Sequence, residues 1–190
     1  MLQASPADKK LVVDILTKAF WDNLSVNYVI DPKKDKGSAI KALMAYSFDV
    51  CMAYGSVFLN EEKDAAALFF YPQKKRTTFR TIGWDVRLLF TCFGAGNVGK
   101  ITGREKIIHQ VKGKRDMLYL WFVGVLPSRQ GKGKGSGLVA DVLQVARQEG
   151  LPVYLETSMT QNLPLYKRFG FTVYHEHDFS YRLYFLRKDI

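Results

Sequence analysis

Residues 125–138 read VLPSRQGKGKGSGL, and this glycine-rich stretch decides the fold. The run before it, residues 118–125, is almost unbroken in its apolar character and predicts a strand buried on both faces. Apolar residues at helical spacing follow from Leu138 and predict a helix that ends near Gly150. Residues 152–155 predict another short buried strand. Strand, loop, helix and strand in this order predict a parallel pair joined by a right-handed crossover.

The loop has the composition of an anion-binding site. Gly131, Gly133 and Gly135 let the backbone approach a ligand closely, because glycine carries no Cβ. The first amides of the following helix lack intrahelical partners, and together with the helix dipole they attract negative charge. Lys132 and Lys134 add positive charge. The pattern favours a pyrophosphate ligand; the alternative is a tight glycine turn with two solvated lysines.

The same segment resembles the coenzyme A signature of the GNAT superfamily of N-acetyltransferases. The resemblance rests first on the pattern VxPxxQxxGxG in residues 125–135. It rests also on residues 155–158 (LETS), 162–166 (NLPLY) and 170–173 (GFTV), which look like the closing motif of that family. This second motif is similar to the subgroup that includes puromycin N-acetyltransferase. The resemblance covers residues 117–176.

The resemblance implies an α/β (α+β) chain with the acyl-CoA N-acyltransferase fold. That fold has a mixed, mainly antiparallel central sheet flanked by helices, and a parallel strand pair splays apart to admit the cofactor. The resemblance also implies a single domain over residues 1–190. Residues 1–116 would form the half with the acceptor-side helices and a basic helical insertion. Residues 117–190 would form the acetyl-CoA-binding core and the C-terminal strands.

Acetyl-CoA is the co-substrate that the resemblance implies. The loop is expected to hold its pyrophosphate, with Ser136 opening the helix, and Asn162 is expected to hydrogen-bond the pantetheine arm. A backbone amide of residues 123–125 is expected to polarise the acetyl carbonyl, as in an oxyanion hole. The implied binding residues are Phe122, Val123, Gly124, Val125, Gln130, Gly131, Lys132, Gly133, Lys134, Gly135, Ser136, Asn162 and Tyr166.

Two residues are implied in the chemistry, which is transfer of acetyl to a primary amine in a ternary complex. Tyr166 is expected to protonate the departing coenzyme A thiolate; the alternative is a core aromatic residue. Glu156 is the candidate base that removes the amine proton directly or through water. Its alternative is a carboxylate that only orders neighbouring loops. Residues 118–125 contain no acidic residue, although some relatives carry their base there, so the base is left open.

Two further motifs carry weaker signals. Residues 94–100 (GAGNVGK) fit the start of a phosphate-binding P-loop, but Ile101 stands where Ser or Thr would reach Mg²⁺. A turn between helices is therefore favoured. His175 and His177 would share one face of a strand, but no third ligand is evident, so no metal site is predicted. One of these histidines is an alternative base, since imidazole titrates near neutral pH.

The net charge is +10, and many of the basic residues lie in residues 74–115, which are predicted to be mostly helical and amphipathic. The segment is interpreted as a solvated helical face. A lid over the acceptor site is an alternative, and an amine pocket could then be walled by Phe20, Trp21, Tyr28, Trp84 and Phe90. A nucleic-acid surface is a further alternative, but no recognised RNA- or DNA-binding module occurs there.

The sequence also bears on the location of the protein in the cell and on its partners. No apolar run approaches the roughly 18–20 residues needed to cross a bilayer, and the N-terminus lacks a signal-peptide pattern. A cytoplasmic protein without a membrane partner is therefore expected. Cys51 and Cys92 are predicted to be buried structural thiols. The favoured acceptor is a small-molecule amine, and a homodimer is compatible with the sequence. The rival functions are a non-catalytic coenzyme A sensor and a basic RNA-binding module.

Overall fold

A computed structural model describes residues 1–190 and contains the alternation of helices and strands that the sequence predicts. The strands are β1 (Leu2–Gln3), β2 (Gly55–Leu59), β3 (Ala65–Phe70), β4 (Leu118–Val125), β5 (Val153–Thr157), β6 (Thr172–Asp178) and β7 (Arg182–Lys188). The helices are α1 (Lys9–Ala19), α2 (Leu24–Val29), α3 (Lys36–Tyr54), α4 (Phe79–Leu88), α5 (Val98–Lys112), α6 (Lys134–Glu149) and α7 (Leu163–Arg168).

All seven strands belong to one sheet, in the order β1-β2-β3-β4-β5-β7-β6. Neighbouring strands are antiparallel except for β4 and β5, which run parallel. The connection between these two strands contains α6, as a parallel crossover requires. The prediction of a mixed, mainly antiparallel sheet flanked by helices is therefore confirmed.

Helices cover both faces of the sheet, and a separate apolar cluster lies under each layer. On one face α1 and α3 pack through residues at helical spacing, among them Val12, Ile15, Leu16, Ile40, Met44 and Phe48. On the other face α6 packs through Leu138, Val139, Val142, Leu143 and Ala146. Each fully buried Val, Leu or Ile side chain contributes roughly 1.5–3 kcal/mol, so the helix positions and the sheet stabilise each other.

A helical insertion separates β3 from β4. These strands pair antiparallel, and such neighbours are usually joined by a hairpin loop of about 2–5 residues. Here residues 71–117 intervene and carry α4 and α5, so the prediction of a mostly helical segment is correct. A π turn at Leu89–Phe93 and a short 3-10 turn at Ala95–Asn97 join the two helices. Because no strand precedes Gly94, the P-loop alternative lacks its required context.

A β-bulge in β4 coincides with the point where β4 and β5 separate. The β3–β4 register passes from Phe69↔Leu120 to Leu68↔Phe122, which leaves Trp121 as the extra residue. Parallel pairing with β5 covers only Leu118↔Val153 and Tyr119↔Tyr154. A bulge bends its strand and increases the local twist. The rest of β4 therefore diverges from β5 and leaves a gap between the two strands.

Two local predictions need correction. Burial on both faces of β4 holds only for its first half, because Trp121, Val123 and Val125 are partly exposed beside the gap. Ser136 does not open the helix after the glycine loop. That helix begins at Lys134, since Gly133 adopts the left-handed conformation at φ +77° and ends the loop there. As to membranes, none of the helices is long and apolar enough to span a bilayer.

Candidate functional site

Six consecutive amides of the glycine loop have no acceptor within the protein. The amide of Gln130 contacts the carbonyl of Pro127 at 3.4 Å, and the next bonded amide is that of Gly137, which donates to Gly133 at 2.9 Å. The N–H groups of residues 131–136 lie between these two. They sit at the positive end of the α6 dipole, where an anion is stabilised. The loop therefore has the donor set of a phosphate cradle.

Two side chains of the loop hold its shape. The Gln130 Nε2 atom donates to the carbonyl oxygen of Val125 at 3.2 Å and ties the loop to the end of β4. The Lys134 ammonium contacts the Asp64 carboxylate at 2.5 Å in the turn between β2 and β3. A hydrogen bond from Lys134 is the main cause that lowers the pKa of Asp64. Lys134 thus offers an anion its amide, whereas exposed Lys132 keeps a free ammonium.

The edge of β4 that faces the gap carries unused backbone groups. The amide of Leu126 donates to the carbonyl of Asp64 at 2.9 Å, and residues of an antiparallel strand bond to a given neighbour alternately. The N–H and C=O groups of Val123 and Val125 therefore point away from β3 and into the gap, where the Val125 carbonyl accepts from Gln130 Nε2 and the other three groups are unused. Beyond Tyr119 no β5 residue pairs with them.

The neighbouring residues of β4 face elsewhere. By the same alternation, the backbone groups of Phe122 and Gly124 point to β3. The Phe122 ring packs edge-on against Phe20 at 5.0 Å, and a Cβ at Gly124 would lie 2.7 Å from Leu16. The structure therefore places both residues under α1 and not in the gap, although the sequence groups them with the cofactor-binding residues.

Tyr166 and Asn162 lie on the α6 face of the sheet or beside it. Tyr166 belongs to the apolar cluster under α6, and its ring packs against Phe171 at 5.7 Å. Its hydroxyl has no hydrogen-bond partner and is not among the fully buried polar atoms. Burial raises the pKa of Tyr166 to about 12, so the hydroxyl stays protonated at neutral pH. Asn162 precedes α7 without capping it, which leaves its side-chain amide free.

Glu156 lies on the opposite face of the sheet. Leu155 belongs to the α6 cluster, and successive side chains of a strand alternate between faces. One Glu156 oxygen, Oε2, accepts a hydrogen bond from the Tyr119 hydroxyl. The other oxygen, Oε1, is buried without a hydrogen-bond partner and lies 3.9 Å from the Lys112 ammonium. Burial and the charge of Glu156 together raise the pKa of Tyr119 well above its usual value.

The cluster of Glu156, Tyr119 and Lys112 could not be predicted as a whole from the sequence. Lys112 comes from the end of α5, and its ammonium also lies 3.9 Å from the centre of the Tyr119 ring. Three elements far apart in the chain supply the three residues, so only the folded sheet brings them together. Strand alternation could have placed Tyr119 and Glu156 on one face. Tyr119 pairs with Tyr154, and Glu156 lies two residues after Tyr154 on β5, so its side chain points to the same face. Nothing in the sequence points to Lys112.

A second polar cluster closes the same face beyond the end of β5. The Arg104 guanidinium of α5 contacts the Ser25 hydroxyl at 2.7 Å and the Tyr181 hydroxyl at 3.0 Å. The Ser158 hydroxyl accepts from the Ser25 amide at 3.2 Å. Tyr28 packs against Tyr181 at 5.1 Å and adds an aromatic wall. The insertion, α2 and the β6–β7 turn thus meet at one end of the gap.

The predicted aromatic wall is only partly assembled. Tyr28 joins the cluster just described, and Phe20 packs on β4. Phe90 is 65% exposed and points outward from the insertion, so it walls no pocket. Trp84 packs against the cluster under α1 and α3, and Trp21 is largely exposed. The alternative in which Phe90 forms part of a wall around an amine pocket is therefore wrong.

The other predicted residues fall outside the gap. His175 and His177 lie on β6, which β7 separates from β5, and their rings stack at 6.3 Å. No group of residues has the composition and spacing of a metal site. Cys51 and Cys92 are free and buried, as predicted, and burial raises the pKa of Cys92 to about 12.

Sequence comparison identifies relatives of the site-bearing segment. Residues 69–171 match the profile of the Acetyltransferase (GNAT) family. An uncharacterised N-acetyltransferase of Schizosaccharomyces pombe is 47% identical over 53 residues, which are 28% of this chain and 22% of that protein. The chain thus spans about a fifth of the length of the curated relative that it matches.

Comparison with solved structures shows the same fold over the whole chain. An acetyltransferase of Corynebacterium glutamicum, described as histone acetyltransferase HPA2 and related, aligns with 100% of this chain and 95% of its own at a TM-score of 0.66 and 24% identity. Arylalkylamine N-acetyltransferase 2 of Aedes aegypti aligns with 100% and 97% at 0.71 and 12%. Polyamine N-acetyltransferase of Drosophila melanogaster aligns with 99% and 98% at 0.66 and 15%.

The family profile covers more than half of the chain, including β4, the glycine loop and Tyr166, and the solved structures reproduce its sheet and helices. The predicted acyl-CoA N-acyltransferase fold is therefore confirmed, while the likeness to the puromycin N-acetyltransferase subgroup stays a prediction. The chain belongs to the acetyltransferase (GNAT) family.

Proposed function

We propose that the protein binds acetyl-CoA in the gap between β4 and β5 and transfers the acetyl group to a primary amine of a small molecule. The observation that carries the proposal is the alignment of two donor sets. Six free amides at residues 131–136 suit the pyrophosphate, and the free N–H groups of Val123 and Val125, with the Val123 carbonyl, suit the amide groups of pantetheine. Both sets lie at the same opening of the sheet.

The two faces of the gap suit the two partners of the reaction. Tyr166 lies on the α6 face, and its protonated hydroxyl would donate a hydrogen bond to the departing thiolate. Because its pKa of about 12 lies above that of a thiol at about 8.5, this donation stabilises the thiolate without complete proton transfer. Glu156 lies on the other face, from which the amine would approach the thioester carbonyl. An N–H of Val123 or Val125 would stabilise the charge on the carbonyl oxygen.

Glu156 fits the role of base through its free oxygen. Oε1 accepts no hydrogen bond, so its lone pairs can take a proton, and the Lys112 ammonium 3.9 Å away would stabilise the carboxylate in its charged form. The amine nitrogen loses one proton to the carboxylate as it forms the bond to the acetyl carbon, and the bond from that carbon to sulfur breaks. The Aedes and Drosophila neighbours are an arylalkylamine and a polyamine N-acetyltransferase, which supports an amine acceptor.

The chain is proposed to act as one domain over residues 1–190. Residues 117–190 supply the β4–loop–α6 cradle, β5 and Tyr166. Residues 1–116 supply α2 and α5, whose polar residues Ser25 and Arg104 meet beside the end of β5. The acceptor would therefore contact the first half of the chain, and the cofactor would contact the second half.

Calorimetric titration with acetyl-CoA and thiol release with a panel of arylalkylamines and polyamines test this function. We expect saturable binding, and thiol release that depends on an amine. Binding without thiol release for any amine would favour a coenzyme A sensor. RNA binding that is insensitive to coenzyme A, without acetyl-CoA binding, would favour an RNA-binding module.

Two substitutions separate chemistry from binding. Tyr166→Phe should lower turnover by about 10²-fold or more and leave acetyl-CoA affinity nearly unchanged, because the hydroxyl acts only on the departing thiolate. Glu156→Gln should lower turnover, because no carboxylate then takes the proton that the amine nitrogen loses as it bonds to the acetyl carbon. An unchanged rate would remove either residue from its role. Gln148→Ala, at an exposed position near the end of α6, serves as the control and should match the wild type.

A further inference from the structure

The outward face of α4 carries an apolar stripe with nothing packed on it. Phe79, Ile82, Val86 and Phe90 follow one another at intervals of three or four residues, so they share one side of the helix and its π-turn extension. Their exposures are 96%, 46%, 47% and 65%. The buried side of the same helix is formed by Thr81, Leu88 and Cys92, so the stripe is additional to the face that the core needs.

The exposed apolar residues of the protein are concentrated on this face of α4. Of the ten large apolar residues that the protein exposes, four lie on this one helical face, whereas the other six are divided among the N-terminus, the start of α2, the start of α5 and the C-terminus. Single exposed apolar residues are normal on protein surfaces, but a contiguous apolar patch marks an interaction site.

The stripe lies within the most basic part of the chain. Residues 73–115 contain eleven Lys or Arg residues and two acidic residues, a net charge of +9 against +10 for the whole chain. The basic residues that adjoin the stripe form no ion pair: they are Lys74, Lys75, Arg76, Arg80 and Arg87. The acidic residue of α4, Asp85, accepts a hydrogen bond from the Tyr46 hydroxyl at 2.7 Å. The partner of the stripe must therefore be anionic as well as apolar.

On the Arg87 side the basic surface continues into an open depression of about 550 Å³. Its lining includes Lys9, Lys10, Lys41 and Arg87, and it lies between α1 and α3, away from the β4–β5 gap. Lys9 and Lys41 are paired with Asp49 and Asp14, whereas Lys10 and Arg87 are not in any ion pair. A phosphate-bearing headgroup fits such a position beside an apolar stripe.

We propose that α4 is an interfacial helix that docks the protein onto an anionic lipid surface. In this arrangement Phe79, Ile82, Val86 and Phe90 enter the boundary between headgroups and acyl chains, and the flanking Lys and Arg residues contact the anionic headgroups. The expectation of no membrane partner rests on the absence of a spanning segment, which an interfacial helix does not need. Aliphatic Ile82 and Val86 cannot stack on bases, so lipid fits the stripe better than RNA.

Sedimentation of the full chain with vesicles tests the proposal. We expect the protein to bind vesicles of equal parts phosphatidylcholine and phosphatidylserine, to bind phosphatidylcholine alone much more weakly, and to dissociate at high salt. Phe79→Ser with Phe90→Ser should lower the partition coefficient by about tenfold or more, and Lys75→Glu with Arg80→Glu should do the same. All four side chains are exposed, so melting curves should stay unchanged.

Matched variants elsewhere on the surface give the controls. Ile190→Ser removes an apolar side chain of similar exposure to Ile82, and Arg147→Glu with Arg168→Glu reverses two exposed charges on α6 and α7. Both should bind vesicles like the wild type. Three outcomes would overturn the proposal. These are no sedimentation with anionic vesicles, equal loss in the controls, and a dimer that Phe79→Ser with Phe90→Ser dissociates while vesicles bind neither form.

Discussion

Gly131 and Gly133 have a different role from Gly135, although the three look alike in the sequence. The first two adopt φ of +76° and +77°, which only glycine occupies readily, and a Cβ on either would meet no neighbour. Gly135 has no such backbone requirement, and its Cβ would lie 3.5 Å from Val125, an ordinary contact. Backbone conformation therefore explains the first two glycines, and close approach of the proposed acetyl-CoA pyrophosphate would explain the third.

Gly133→Ala should weaken acetyl-CoA binding, because alanine in the left-handed region costs about 1–2 kcal/mol and displaces the amides that begin α6. Gly137→Ala is the matched control: it lies in the first turn of the same helix with free space around it, and should stabilise the protein by about 0.5–1 kcal/mol. Calorimetric titration and urea unfolding measure both effects. Equal affinities for the two variants would contradict the role of the loop backbone.

Because Gly124 has no side chain, α1 can pack very closely against β4. A Cβ there would lie 2.7 Å from Leu16 and 3.0 Å from Ala19, and both neighbours belong to a packed helix. Gly124→Ala should therefore lower the free energy of unfolding by about 1–3 kcal/mol through overpacking. Gly103→Ala, in α5 with nothing within 4 Å, should be neutral or stabilising. Urea unfolding of both variants tests the difference.

At the scale of elements, the contact between Lys134 and Asp64 joins the start of α6 to the turn between β2 and β3. The two side chains are 16% and 11% exposed, so the contact is shielded from solvent on most sides. It fixes the start of α6, and with it the end of the glycine loop, against that turn. It also means that protonation of Asp64 should release the loop.

Asp64→Asn should increase amide hydrogen exchange of Gly137, whose N–H donates to the Gly133 carbonyl, at neutral pH, because the charged contact that fixes the start of α6 is lost. The folded-state pKa of Asp64 is lowered below 3.8, so the contact is present above that pH and is lost as the pH falls through the lowered value. The difference between variant and wild type should therefore disappear in strong acid. Asp141→Asn, on α6 without an ion-pair partner, should exchange like the wild type at every pH.

Most elements could be predicted from the sequence, but β1, α2 and the division of the insertion into α4 and α5 could not. The site could be predicted only in part. Apolar periodicity gives α1, α3 and α6, because these helices each bury one face, and the two motifs of the family give the cradle and Tyr166. The bulge at Trp121 has no local signature, since apolar residues surround it on both sides. The contact between Glu156 and Lys112 depends on how α5 crosses the sheet, which no spacing in the sequence records.

At the scale of the whole molecule, charge and burial are unevenly distributed. The helical insertion carries nearly all of the net charge, and the site lies between it and the α6 layer. Cofactor phosphates would thus be attracted both by the +10 surface and by the local amides of the loop. The same charge would draw the outward face of α4 toward an anionic surface, so high salt should weaken both interactions.

The buried tyrosines should make the protein sensitive to alkali. Burial is the main cause that raises the pKa of five of the ten tyrosines, which are Tyr46, Tyr71, Tyr119, Tyr166 and Tyr174. In the unfolded chain these phenols ionise near their usual value of about 10. Between that pH and about 12, where folded Tyr166 ionises, the folded state binds more protons than the unfolded state, so stability falls as the pH rises.

Ultraviolet titration of the phenols, followed together with circular dichroism, measures this effect. In the folded protein we expect about half of the tyrosine signal to appear late and only as the helical signal is lost, whereas in concentrated urea all ten tyrosines should titrate together near pH 10. Tyr166→Phe should remove one tyrosine from the late group and shift the alkaline unfolding midpoint upward, because one fewer proton is then lost on unfolding. Titration of all ten tyrosines before any loss of helix would show that the five side chains are not buried in solution.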